Sequence, residues 1–211
     1  MKRFLLPFII VLALVISSLV LVRETEAPTV DEVNEETLPV TEVENAPTTL
    51  IARAAERVTL KPFGIKISPA NSPVKNEKFA GYHSGVDFET FPDEANIDVP
   101  IFALCTGELL VKRTASGYGG VVVQTCTINE EPVTVIYGHI RLSSVTSAVG
   151  TIVNQGNQIA VLGAGFSTET DGERKHLHLG IHRGENVAIA GYVSTEAELK
   201  NWIDVMTVLS P

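Results

Sequence analysis

The strongest constraint on the fold of this chain is a series of short apolar runs, rich in Val and Ile, between residues 64 and 182. They lie at 64–67, 101–104, 108–113, 120–128, 133–140, 159–162 and 177–182, separated by clusters of Gly, Pro, Asn and Ser. Runs of this length, bounded by turn residues, form strands rather than helices. No long helical period interrupts them. The pattern predicts a mainly β domain, an antiparallel β-sandwich or barrel-like arrangement. The tail reads differently. Thr195 and Glu198 make a capping box, and Leu199, Trp202, Ile203 and Met206 share one helical face, which predicts a short C-terminal helix packed on the domain.

The N-terminal part is another kind of polymer. Residues 4–22 are almost unbroken apolar sequence, long enough as a helix to rise about 28 Å, close to one bilayer core. Lys2 and Arg3 precede them, which orients the N-terminus to the cytoplasm and sends the rest across. The length, and the weak match of Thr25-Glu26-Ala27 to a small-x-small cleavage site, favour an uncleaved anchor over a signal peptide. Residues 24–49 hold eight acids, three prolines and no Lys or Arg, the composition of an extended, disordered stalk. Such a stalk reaches at most about 90 Å. Residues 50–57 are expected to form a short helix leading into the domain. The chain therefore divides into a membrane anchor (1–23), an acidic stalk and linker (24–59), a β domain (60–190) and a helical tail (191–211), with the domain extracytoplasmic. Most of the net charge of −9 sits in the stalk, and no basic run points to a nucleic-acid partner.

Four of the five histidines fall in three motifs: His83-Ser84-Gly85-Val86-Asp87, Tyr137-Gly138-His139 and His176-Leu177-His178. In an extended strand His176 and His178 point to the same side, about 7 Å apart, so one can bind a metal while the other works beside it. His83 and Asp87 supply an imidazole and a carboxylate, and His178 completes a three-ligand site. Three protein ligands leave one tetrahedral position open, the pattern of catalytic rather than structural zinc. Gly85 allows close backbone approach.

In these motifs the chain resembles the lysostaphin/LytM-type family of zinc metalloendopeptidases, which cut cell-wall peptide cross-links. The likeness runs from about Phe63 to Arg183 through PFGIKISP, YHSGVDF, VPIFALCTGEL, GYGGVVV, VIYGHI, VNQGNQIAVLG and HLHLGI. It implies one Zn2+ per chain held by His83, Asp87 and His178, with His139 and His176 as active-site histidines that do not bind metal, and peptidoglycan peptides as substrate. Two departures leave the preferred substrate open. Leu179 and Gly180 follow the His-x-His where the family often has an aromatic and an acid. Residues 168–175 form a charged loop, Thr-Glu-Thr-Asp-Gly-Glu-Arg-Lys, a candidate lining of the substrate groove.

Zinc lowers the pKa of a bound water to about 7. The chain has no His-Glu-x-x-His, so the proton acceptor is expected to be a neutral imidazole, His139 or His176, with the other donating to the oxyanion. The competing class is a non-catalytic wall-binding or hydrolase-activator module of the same fold. The complete set of five residues favours the enzyme. His182 lies on the same face as His178 but about 13 Å along the strand from it, nearer the rim than the metal. Tyr137, two residues before His139, either faces substrate or packs in the core. Finally, if Lys112 lies opposite Gly119 in the hairpin, Cys105 faces Cys126, which predicts a disulfide in an oxidising compartment; two buried thiols are the alternative.

Overall fold

The structure, a computed structural model, describes residues 49–209. The expected anchor and nearly all of the acidic stalk lie outside the described residues. Among the described residues no helix is long and apolar enough to cross a membrane.

The described strands are β1 (Lys66–Ile67), β2 (Gly81–His83), β3 (Gly85–Glu89), β4 (Pro100–Phe102), β5 (Gly107–Ala115), β6 (Gly119–Ile128), β7 (Glu131–Gly138), β8 (Ile152–Val153), β9 (Gln158–Val161), β10 (His176–Arg183), β11 (Tyr192–Val193) and β12 (Trp202–Ile203). All pairings between them are antiparallel. The main sheet runs β12-β10-β7-β6-β5-β8, and β3 joins β10 on the edge that β12 also uses. Two small sheets, β1-β2-β11 and β4-β9, complete the framework. The main sheet ends at β8 and at the β3/β12 edge without closing. The barrel-like option is therefore set aside, and an open, mainly antiparallel β fold takes its place.

Strand alternation sorts the side chains into two cores. Val122 and Cys126 of β6, Val133, Val135 and Tyr137 of β7, and Leu177, Leu179 and Ile181 of β10 join Val86 and Phe88 of β3 in the larger cluster. Val121, Val123 and Ile136 face the other way, with Tyr118 and Trp202. Each such aliphatic or Phe side chain stabilises by about 1.5–3 kcal/mol when fully buried. Leu50 and Ile51 are fully buried in the larger cluster, so the packed body starts before residue 60. The helix expected at 50–57 is reduced to α1, Ala54–Arg57.

Three local expectations need correction. The strand expected at 133–140 stops at Gly138, and His139 follows in the left-handed region at φ 58°. The β5–β6 hairpin pairs Lys112 with Val122 and Ala115 with Gly119, three positions away from the expected register, because β5 continues to Ala115 and the turn is only three residues. The disulfide Cys105–Cys126 forms nonetheless, with Cα atoms 5.9 Å apart, because Cys105 precedes β5 and is not bound to its ladder. The single C-terminal helix is broken in two. The Thr195–Glu198 capping box opens a 3-10 turn, Glu196–Asn201, but Trp202 and Ile203 then extend to pair with β10. Burial of Trp202 in the second core outweighs continuation of the helix. Asp204 accepts the Met206 N–H at 3.0 Å and starts α2, Val205–Leu209.

Candidate metal centre

The ladder between β3 and β10 builds the centre. Its register sets His178 opposite Asp87, His176 opposite Glu89 and Gly180 opposite Gly85. Val86, Phe88, Leu177 and Leu179 fill the larger core, so Asp87, Glu89, His176 and His178 take the opposite face. β2 delivers His83 from the small sheet, where it pairs with Tyr192. The chain changes sheets at Ser84, whose N–H donates to Gly191 O at 3.1 Å and whose hydroxyl donates to Ala190 O at 2.5 Å. A side chain at Gly85 has no room. A Cβ there would sit 2.5 Å from Leu179 O and 2.7 Å from the His178 ring.

His83, Asp87 and His178 each bring one donor atom within 4.8 Å of the others, and all three are buried. His178 Nδ1 and His83 Nε2 lie 3.0 and 3.2 Å from the same oxygen, Asp87 Oδ1. Pro62 O lies 3.2 Å from His83 Nδ1 and can only accept, so Nδ1 is the donor there and Nε2 is the atom that would bind a metal. Two imidazole nitrogens and a carboxylate oxygen, buried and convergent, suit zinc. Burial opposes the Asp87 charge, yet His176, His83 and the hydrogen bonds from His176 and His178 hold its carboxyl well below the usual range. Burial pushes His178 down to about 4, against the opposing bond to Asp87.

His139 and His176 stand beside this cluster, their ring centroids 4.2 Å apart. Simple alternation would put His139 on the face of Tyr137, in the core. Its left-handed backbone turns it out of that face and toward His176. Its Nδ1 is buried and has no partner among the described residues. Burial, reinforced by His176, pushes its pKa well below the ordinary histidine value, so the ring stays neutral. His176 differs: Nδ1 donates to Arg174 O at 2.9 Å and Nε2 lies 3.3 Å from Asp87 Oδ2. Acceptors flank both its nitrogens.

Tyr137 is fully buried; its hydroxyl donates to Gln124 Oε1 at 3.0 Å and accepts the Leu104 N–H at 2.9 Å. It belongs to the core. His182 stands apart from the three-donor cluster, its ring edge-on to Trp202 at 4.9 Å.

Three residues escaped the sequence reading. Tyr118 lies against the rings of His139 and His178 at 5.6 and 5.4 Å, and its buried hydroxyl has no partner among the described residues. Burial and nearby Asp87 push its pKa up, so it stays a phenol. Gly138 makes the seat, since a Cβ there would meet the Tyr118 ring at 2.3 Å. Arg174 donates to Asp87 Oδ2 at 2.8 Å and is itself paired with Glu89. The charged loop was a visible signal for Arg174, but nothing in its spacing showed which acid it meets. A cavity of about 290 Å³ opens over the centre, lined by Asp87, His139, His176 and His178, with Tyr118 and Tyr192 in its walls.

An open antiparallel β fold carrying a buried His/Asp/His cluster, with two further imidazoles lining one cavity beside Asp87 and His178, has the architecture of a metal-dependent hydrolase. Residues 81–189 match the model of peptidase family M23, and the chain belongs to that family. The lysostaphin/LytM-type resemblance is thereby borne out. M23 peptidases are zinc-dependent, and His83, Asp87 and His178 fit one Zn2+ per chain. Among solved structures the chain is similar to LytU, at 25% identity over 72% of this chain and 90% of that one, with a TM-score of 0.46. It is also similar to a zinc-containing peptidase from Vibrio cholerae, at 20% identity, 64% and 36% coverage and a TM-score of 0.41. Helicobacter pylori Csd3 shows 23% identity, 65% and 33% coverage and a TM-score of 0.39. The chain thus spans about a third of the last two. No curated protein sequence matches it.

Proposed function

We propose that this chain is a zinc-dependent endopeptidase that hydrolyses peptide bonds in the stem peptides or cross-bridges of peptidoglycan. The observation that carries the reading is the division of the five residues. Three donors converge within 4.8 Å, and two further imidazoles line a cavity with Asp87 and His178, in different hydrogen-bonding states. Bound there, zinc supplies a water of lowered pKa and polarises a carbonyl.

The chain's own groups divide the proton work. His139, neutral and with an unpartnered Nδ1, is suited to accept the proton of the attacking water. His176, with acceptors at both nitrogens, is suited to donate to the developing oxyanion or the leaving amine.

The apolar segment at residues 4–22 and the acidic stretch after it support a tethered, extracytoplasmic enzyme, the compartment in which peptidoglycan is met and a disulfide is stable. The test is incubation of the purified full chain with peptidoglycan, with and without a chelator, and mass analysis of the released peptides. New amino termini that vanish on chelation and return with zinc are expected. A chain that binds zinc and cuts nothing would favour the non-catalytic module.

A further inference from the structure

Arg174 touches both halves of the centre. Nη2 donates to Asp87 Oδ2 at 2.8 Å and Nε to Glu89 Oε2 at 2.8 Å, and Nη2 also pairs with Glu89 Oε1. Its backbone carbonyl accepts the Nδ1–H of His176 at 2.9 Å. The segment is pinned on its other side. Lys175 Nζ donates to Glu94 O at 2.8 Å and to Ile97 O at 2.6 Å, and Thr90 Oγ1 donates to Lys175 O at 3.1 Å. The guanidinium is therefore a fixed part of the cavity wall, its side chain only 14% exposed.

Asp87 divides its two oxygens. Oδ1 faces His178 and His83, while Oδ2 faces Arg174 and, at 3.3 Å, His176 Nε2. We infer that Arg174 is a positioning residue of the centre, which occupies Asp87 Oδ2 so that the carboxylate meets a metal through Oδ1 alone. The inference rests on the metallopeptidase reading and adds a role for the charged loop. Without a partner, Oδ2 is free to rotate toward the metal or to be claimed entirely by His176. A planar guanidinium prevents both, because its fork satisfies Asp87 and Glu89 together. Glu89 sets its approach, being opposite His176 in the β3–β10 ladder and on the same face as Asp87.

The test uses the full chain, Arg174→Met and Arg174→Lys. Zinc alone is titrated in competition with a chromophoric chelator, and cobalt(II) alone is followed by its visible spectrum, which reports coordination number. Arg174→Met is expected to weaken zinc binding about 10- to 100-fold, the usual effect of losing a group that orients a ligand. Its cobalt bands should lose intensity as Asp87 adopts bidentate contact. Arg174→Lys should fall between the two, because an ammonium grips one carboxylate where the fork gripped two. Zinc affinity and a cobalt spectrum unchanged in Arg174→Met would overturn the inference. If that variant does not fold, an Arg174→Lys chain identical to the unsubstituted one in both readouts would do the same. Failure of the unsubstituted chain to bind either metal would instead overturn the metallopeptidase reading.

Discussion

His178 and Asp87 face each other across the β3–β10 ladder, with Nδ1 3.0 Å from Oδ1, while His176, two residues earlier on the same face, lies nearer Oδ2. The two histidines should therefore fail in different ways. His178→Ala is expected to lose zinc and activity together, as are His83→Ala and Asp87→Ala. His176→Ala and His139→Ala should keep about one zinc per chain while turnover falls roughly 100- to 10,000-fold. Metal analysis beside peptidoglycan cleavage separates the two groups. Loss of zinc from His176→Ala as complete as from His178→Ala would refute the division.

Gly85 tests the ladder itself. A Cβ at this position meets backbone oxygen and the His178 ring well inside contact distance. Gly85→Ala is expected to destabilise by about 1–3 kcal/mol, as overpacking does, and to weaken zinc binding by moving His178. Urea unfolding and zinc titration of one sample check both, and an unperturbed variant would mean that the β3–β10 approach is looser than described.

Acid should loosen the zinc-free protein well before the carboxylates titrate. An unfolded histidine binds a proton near pH 6.5, whereas His178 in the fold does so at about 4 and His139 also well below its ordinary value. Across that window the unfolded state holds more protons, so stability rises with pH and is lost on acidification from about 6.5 toward 4. Asp87, held well below the usual carboxylate range, adds a loss of the same sign below about pH 4. Urea midpoints measured in chelator from pH 7.5 to 4 should decline steadily through this range. A flat profile would contradict the burial of two neutral imidazoles.

The Cys105–Cys126 bridge closes a loop with a sequence separation of 21. The chain-entropy model assigns about 3 kcal/mol to a loop of this order. Replacing both cysteines with Ser should lower the unfolding free energy by roughly that amount. The comparison is urea unfolding of the two proteins without reductant, and equal midpoints would show that the bridge adds nothing.

Much of the centre was legible because it depends on local rules. Alternation on β10 puts His176 and His178 on one face whatever the rest of the chain does, and it sends Leu177 and Leu179 to the core. Gly85 announced a close approach, and the approach is there. The strands carrying His83 and Asp87 were less visible. Their sequence, Tyr-His-Ser-Gly-Val-Asp-Phe-Glu, buries polar groups, and a search for apolar runs passes over it.

The sequence by itself determined the β character, the family motifs, the shared face of two histidines and the residues able to hold zinc. Tertiary structure alone decided the rest. The left-handed turn at His139 is imposed where Ile140 bridges to Leu162 and Tyr137 locks onto Gln124, contacts that fix the chain on either side of it. The hairpin register, the split of the C-terminal helix at Trp202 and the partner of Arg174 depend on which strands lie side by side. The physical reason is one of range. Side-chain direction along a strand follows from its own backbone, whereas register and ion pairing are chosen by the burial of groups far apart in sequence. Arg174 and Asp87, 87 positions apart, become neighbours only when β3 and β10 are zipped in one register.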